Sequence, residues 1–167
     1  MSHEVDFGRI IGVLLEHEVR FVLIGGLAAI THGSPFPTED VDITPERSHA
    51  NLTRLSAALH TLGARVRAEG VPDGLPFDHD PESLDAAGVW NLTTDLGDLD
   101  ISFIPTGTDG FADLDRSARA TEVYGVVVRI ASLQDIVRSK QAANRPKDQR
   151  VLPTLRDILA RRDTGRA

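Results

Sequence analysis

Asp40-Val41-Asp42-Ile43 sets a carboxylate before an aliphatic side chain twice in succession, and Asp98-Leu99-Asp100-Ile101 repeats the pattern. Strict alternation marks an extended strand with one face in a core. Neighbouring side chains of a strand point to opposite faces, and residues two apart share a face. Each segment therefore buries its aliphatic pair and projects its two carboxylates together. If the two strands lie side by side, a third carboxylate joins the first pair. Like charges this close repel unless a cation sits between them, and hard divalent ions such as Mg²⁺ take oxygen ligands of this kind along with substrate phosphates. Three carboxylates can hold two metals about 3.5–4 Å apart, the clamp used for in-line attack on phosphorus. A single Asp-x-Asp is equally the mark of a solvated strand end. The repeat on two alternating strands is what points to a site.

Upstream, Phe21-Val22-Leu23-Ile24 is a short apolar run stopped by Gly25-Gly26, which predicts a buried strand running into a tight turn. Leu27 to His32 predicts a short helix, closed by Gly33, Pro35 and Pro37. Glycines at such a turn let backbone N–H groups approach a phosphate, and the helix N-terminus adds a favourable dipole. Neither Gly-x-x-x-x-Gly-Lys-Ser/Thr nor Gly-x-Gly-x-x-Gly occurs, which argues against P-loop and dinucleotide-binding readings.

Around these segments the pattern predicts an amphipathic helix over 4–18 and a strand over 41–44. A helix follows from the N-cap Ser48 to Leu62, ended by Gly63, and then a strand over 64–69. Residues 70–88 read as a loop with one helical turn near Ser83. Strands over 89–93 and 99–104 are joined by a hairpin turn at Leu96-Gly97, followed by a short helix over 111–119 and a strand pair or edge strand over 122–130. Helices over 133–144 and 148–162 are separated by a break at Pro146. The expectation is one α/β (α+β) domain spanning 1–167: a mixed sheet flanked by helices over about 20–131, and a helical C-terminal portion over about 132–162.

Composition narrows the chemistry. There is no cysteine, which excludes disulfides, thiolate metal sites and thiol nucleophiles. None of the six histidine positions makes a convincing metal-ligand pair within one element. With Trp90 and Tyr124 the only large polar aromatics, base-stacking recognition of single strands is not expected. Met1 to Phe7 carries Glu4 and Asp6 where a secretory signal would be basic, and no apolar run is long enough to cross a membrane, so a soluble cytoplasmic protein is expected. The net charge of −7 is uneven: residues 1–115 hold 6 basic and 20 acidic side chains (−14), residues 116–167 hold 12 and 5 (+7). Such asymmetry fits an acidic site in one part and a polyanion surface in the other, or solvated helix faces. Sixteen residues are arginine and only Lys140 and Lys147 are lysine, both between Leu133 and Asp148. A compact, rotatable ammonium at both places is consistent with a particular requirement there.

The run Phe21-Val-Leu-Ile-Gly-Gly-Leu-Ala-Ala-Ile-Thr-His-Gly-Ser-Pro, followed by Thr38-Glu-Asp-Val-Asp-Ile, resembles the signature of the polymerase-β-like nucleotidyltransferase superfamily. Leu133 to Asp148, reading Leu-Gln-Asp-Ile-Val-Arg-Ser-Lys-Gln-Ala-Ala-Asn-Arg-Pro-Lys-Asp, is similar to the C-terminal motif of that superfamily's AbiEii/MenT-type branch, whose members are commonly toxins of bacterial toxin–antitoxin pairs. The two motifs frame the chain from about 20 to 155.

The resemblance implies that Gly25 and Gly26 hold a triphosphate, that Asp40, Asp42 and Asp100 are metal ligands, with Asp98 the weaker candidate for the third, and that Lys140 reaches the nucleotide phosphates. Arg145, Lys147 and Asp148 complete the second motif, and Thr38 stands two residues before Asp40, where a turn residue is also expected. Many relatives carry a basic residue just before that threonine; this chain has Pro35-Phe36-Pro37. The implied activity is transfer of NMP from an NTP such as ATP or CTP, with Mg²⁺ or Mn²⁺, to an acceptor hydroxyl that Asp100 helps deprotonate. A tRNA 3′ end is the implied acceptor and an antitoxin protein the implied partner. Open beside it are a small-molecule (aminoglycoside-type) or protein nucleotidyltransferase, and an inactive member acting by protein binding.

Overall fold

Residues 5–165 are described by a computed structural model of the chain; Glu4 at the start of the predicted first helix, His3, and most of the N-terminal segment read for a leader lie outside them. Helix α1 (Phe7–Glu16) leads into β1 (Phe21–Ile24), α2 (Gly25–Thr31), β2 (Asp40–Pro45) and α3 (His49–Leu62). There follow β3 (Arg65–Ala68), β4 (Val71–Leu75), α4 (Pro81–Asp85), β5 (Val89–Thr94) and β6 (Gly97–Ser102). The remainder is α5 (Phe111–Ser117), β7 (Arg119–Val123), β8 (Val126–Ile130), α6 (Leu133–Ala143) and α7 (Pro146–Thr164). The strands form a single eight-stranded mixed sheet in the order β4-β3-β5-β6-β2-β1-β8-β7.

The alternation read from the sequence sets the layers. Val41, Ile43, Leu92, Leu99 and Ile101 are fully buried, in one cluster with Ile10 and Leu14 of α1 and Leu55 and Leu59 of α3. At about 1.5–3 kcal/mol per buried aliphatic side chain, this cluster is what fixes the register of the central strands. Helix α3 begins where Ser48 accepts a hydrogen bond from Asn51 N (3.2 Å) and ends at Gly63 in the left-handed region. Among the described residues no helix is long and apolar enough to cross a membrane.

Several boundaries differ from expectation, each for a local reason. Helix α2 starts at Gly25 rather than Leu27, because Gly25 takes φ +72° and turns the chain directly out of β1. A strand, β4, lies inside the predicted loop 70–88; it is an edge strand held to β3 by backbone pairing, where Pro72 costs no ladder bond and no apolar alternation is required. Strand β7 begins at Arg119, earlier than the predicted pair, and its side chains are almost all exposed, so it too leaves no periodic trace. The hairpin between β5 and β6 turns at Asp95-Leu96, with Thr94 paired to Gly97. Helix α7 begins at Pro146 rather than Asp148: proline at the first helical position loses no bond, since that N–H is unpaired anyway.

Candidate active site

Parallel pairing of β2 with β6 puts Asp40 opposite Asp98 and Asp42 opposite Asp100. Of these four carboxylates three converge: Asp40, Asp42 and Asp100 each offer an oxygen, and the three oxygens lie within 4.8 Å of one another. Asp98 is not one of the three; its Oδ2 lies 3.4 Å from Arg67 Nη1. The trio lies in the wall of a cavity of about 800 Å³. Burial, then the neighbouring charges of Asp40 and Asp100, push the Asp42 carboxyl up to about 7. Burial and the closeness of Asp40 push Asp100 up to about 6, against the pull of Arg67. An all-oxygen donor set with surplus negative charge and raised carboxyl pKa values fits a hard divalent cation, which would relieve both the repulsion and the desolvation.

The glycine turn is shaped by these carboxylates. A Cβ on Gly25 would collide with the Asp42 side chain, and one on Gly26 would lie 2.8 Å from Thr38 Oγ1. Only glycines allow the turn, the β2 carboxylate and Thr38 to close together here. Thr38 donates from its hydroxyl to Asp40 Oδ1 (3.1 Å), so it orients one member of the trio.

The C-terminal helices supply the opposite charge. Lys140 on α6, Arg145 at the turn and Lys147 on α7 line the cavity, as do Gly25, Gly26 and Thr38. Asp148 does not: it is fully buried behind that wall. It accepts hydrogen bonds from Arg145 N (3.1 Å) and Arg145 Nε (2.7 Å), and Lys140 Nζ is 3.7 Å away. Burial works to raise its pKa, but the Arg145 side chain and backbone, with Lys140, outweigh it and hold the carboxyl below the usual range. Nine of the eleven residues singled out from the sequence thus line one cavity; Asp148 braces its wall, and Asp98 is not part of the lining.

Two contributors left no trace in the sequence pattern. Arg67 of β3 lines the cavity and donates from Nη2 to Asp100 Oδ1 at 2.6 Å. His32, the C-cap of α2, joins Ala131 O through Nε2 (2.8 Å) and Arg162 through Nδ1 (2.9 Å), tying the end of α7 to the end of α2. Both depend on contacts across 33 or more positions, which no local pattern reports.

No protein-family model matches this chain, and no curated protein matches it. Solved structures do. The chain is similar to the lincosamide antibiotic adenylyltransferase LnuA in its lincomycin-bound form, with a TM-score of 0.60 and 15% identity over 93% of this chain and 99% of that one. It is similar to the antibiotic-resistance factor ANT(2'')-Ia in solution (TM-score 0.53, 18% identity, 95% of this chain and 91% of that one). The crystal structure of ANT(2'')-Ia with adenylyl-2''-tobramycin gives a TM-score of 0.52 at 17% identity, covering 96% of each chain. At such identities the likeness is one of fold, and the fold is that of the nucleotidyltransferases.

Proposed function

We propose that this chain is a nucleotidyltransferase that moves NMP from an NTP to an acceptor hydroxyl, and that the acceptor is a tRNA 3′ end. One observation carries the reaction type: parallel β2 and β6 bring Asp40, Asp42 and Asp100 together in a cavity whose helical wall bears Lys140 and Lys147. A divalent cation, Mg²⁺ or Mn²⁺, held by the three carboxylates would offset triphosphate charge and polarise the reacting phosphate.

The chain's own groups then account for the rest. The Gly25-Gly26 turn, bare of side chains, leaves room for phosphate oxygens against backbone N–H groups. Lys140 and Lys147 stabilise the triphosphate and then the departing pyrophosphate, with Arg145 flanking them and Asp148 bracing Lys140. Thr38 keeps Asp40 aimed into the site. Asp100, in the cavity wall beside Asp40 and Asp42, is placed to help take the acceptor's proton. The new O–P bond forms at the α-phosphorus as the bond to the bridging oxygen of the β-phosphate breaks. Positioning and electrostatics supply the acceleration.

Support for tRNA comes from the +7 balance of residues 116–167 and from the likeness of Leu133–Asp148 to the AbiEii/MenT-type motif, which also argues for a cognate antitoxin protein and a cytoplasmic toxin role. We read 1–167 as one such domain. A second reading, transfer to a small-molecule hydroxyl, is favoured by the near full-length likeness to LnuA and ANT(2'')-Ia. Incubation with each α-³²P-labelled NTP, Mg²⁺ and total tRNA separates them. Label on tRNA that disappears with Asp40→Ala supports the reading and names the nucleotide. Label appearing only on lincosamide or aminoglycoside antibiotics transfers the assignment to the second reading. No label from folded protein, with Asp40→Ala retaining the full biological effect, leaves a protein-binding role instead.

A further inference from the structure

Arg67 stands in the middle of β3, two strands away from β6, yet its side chain ends at the carboxylate trio. The register explains how. Val66 pairs with Leu92, and Asn91 pairs with Asp100, so one step along the ladder Arg67, Asn91, Asp100 and Asp42 form a row on the cavity face. The guanidinium spans that row. It donates from Nη1 to Leu92 O at 2.9 Å and from Nη2 to Asp100 Oδ1 at 2.6 Å, with Asp98 Oδ2 3.4 Å from Nη1. One backbone carbonyl and two carboxylates anchor it, and the side chain is only 33% exposed. Among the described residues it is the one basic side chain ion-paired with a member of the trio.

A planar guanidinium held in this way does two things that a solvated arginine does not. It fixes the plane of the Asp100 carboxylate, and it cancels one of three negative charges in a site built to attract a cation. We propose that Arg67 is a positioning residue and a standing counter-ion of the trio. It weakens the site for a bare divalent cation, so that firm binding requires a nucleoside triphosphate to bring the cation and complete its ligands. The nucleotide part rests on the function proposed above; the effect on the bare cation does not.

The test is Mn²⁺ binding measured by calorimetry without nucleotide, for wild type, Arg67→Gln and Arg67→Lys, each checked for folding by circular dichroism. Arg67→Gln is expected to bind Mn²⁺ at least about tenfold tighter than wild type, the order that water-like screening leaves when a unit charge is removed from beside a divalent ion. Arg67→Lys keeps the charge and should stay within about twofold of wild type. An ATP analogue that resists hydrolysis should tighten Mn²⁺ binding more in wild type than in Arg67→Gln. An arginine that merely props up the site would act with the opposite sign: Arg67→Gln would bind Mn²⁺ more weakly, and that result overturns the proposal, as does Mn²⁺ binding by none of the three proteins. Should Arg67→Gln not fold, wild-type affinity unchanged by the analogue overturns it as well. Tighter binding in Arg67→Gln with no nucleotidyl transfer to any acceptor would uphold the counter-ion and sink the function.

Discussion

Asp42 and Asp148 belong to opposite sides of the same cavity, and their surroundings drive them in opposite directions. Asp42 sits on the sheet beside two other carboxylates, with its carboxyl pushed up to about 7. Asp148 is more deeply buried, yet the Arg145 backbone and guanidinium saturate it and hold it low. The sheet side is left electrostatically unsatisfied in favour of something that binds, whereas the helical side is satisfied from within. What separates a carboxylate that acts from one that braces is whether the protein itself supplies the counter-charge.

Replacing Asp42 by Asn should break this contrast most sharply. Transfer activity is expected to fall on the order of 10³-fold, since an amide is a poor ligand and carries no charge. Stability should move the other way. The folded carboxyl titrates above its unfolded counterpart, so its contribution is present at low pH and lost as pH rises from about 4 through about 7. Metal-free wild type therefore loses stability across that window, and Asp42→Asn should lose less. Thermal melts at pH 5 and pH 8 decide it: equal slopes for both proteins would mean that Asp42 is not held unfavourably.

On the helical side Asp148→Ala should cost about 2–3 kcal/mol, because it strips the bonds to Arg145 and leaves that turn's backbone N–H unpaired. Activity should fall with it, through loss of the anion that steadies Lys140. Urea denaturation reads the first effect. A variant as stable as wild type would show that the wall does not depend on its buried carboxylate.

This contrast explains what could be read from the sequence. The sheet side was legible because period-two alternation dictates which way side chains point, so Asp40 shared a face with Asp42, and Asp98 with Asp100, before any register was known; that the two strands are neighbours came from the structure. The choice of Asp100 over Asp98 came from resemblance; what places Asp100 directly opposite Asp42 is the register of β2 with β6, and the Arg67 contact to Asp100 needs the pairing of β3 with β5. Arg65-Val66-Arg67-Ala68 reads like any polar-faced strand, and nothing local marks one arginine as internal. Asp148 falls among the ligand-facing residues of its motif because a motif records which residues recur, not which way they face. β4 and β7 were hidden for a related reason. Edge strands are held by backbone bonds, which every sequence can make.

The smallest expected effect lies where the two sides are tied together. His32, at the end of α2, donates through Nε2–H to Ala131 O and accepts at Nδ1 from Arg162 of α7, whose Nη2 also donates to His32 O at 2.9 Å. These partners require the neutral imidazole. Burial lowers its pKa, and the charge of Arg162 lowers it further, against the pull of the Ala131 carbonyl. The unfolded chain therefore takes up the proton first. The clasp's contribution is complete above the ordinary histidine value of about 6.5 and is lost as pH falls below it toward the folded pKa. This slope opposes that of Asp42 in the overlapping range, so in wild type the clasp offsets part of the loss that Asp42 causes. Asp42→Asn removes the largest of the opposing pH dependences, leaving that of Asp100, and should make the clasp's loss on acidification from about pH 7.5 to 5.5 easier to read. Adding His32→Gln to Asp42→Asn should flatten it. If the double variant keeps the acid-side loss, the clasp is not its source, and the hold of α7 over the cavity rests on its packed side chains such as Leu152 and Leu155.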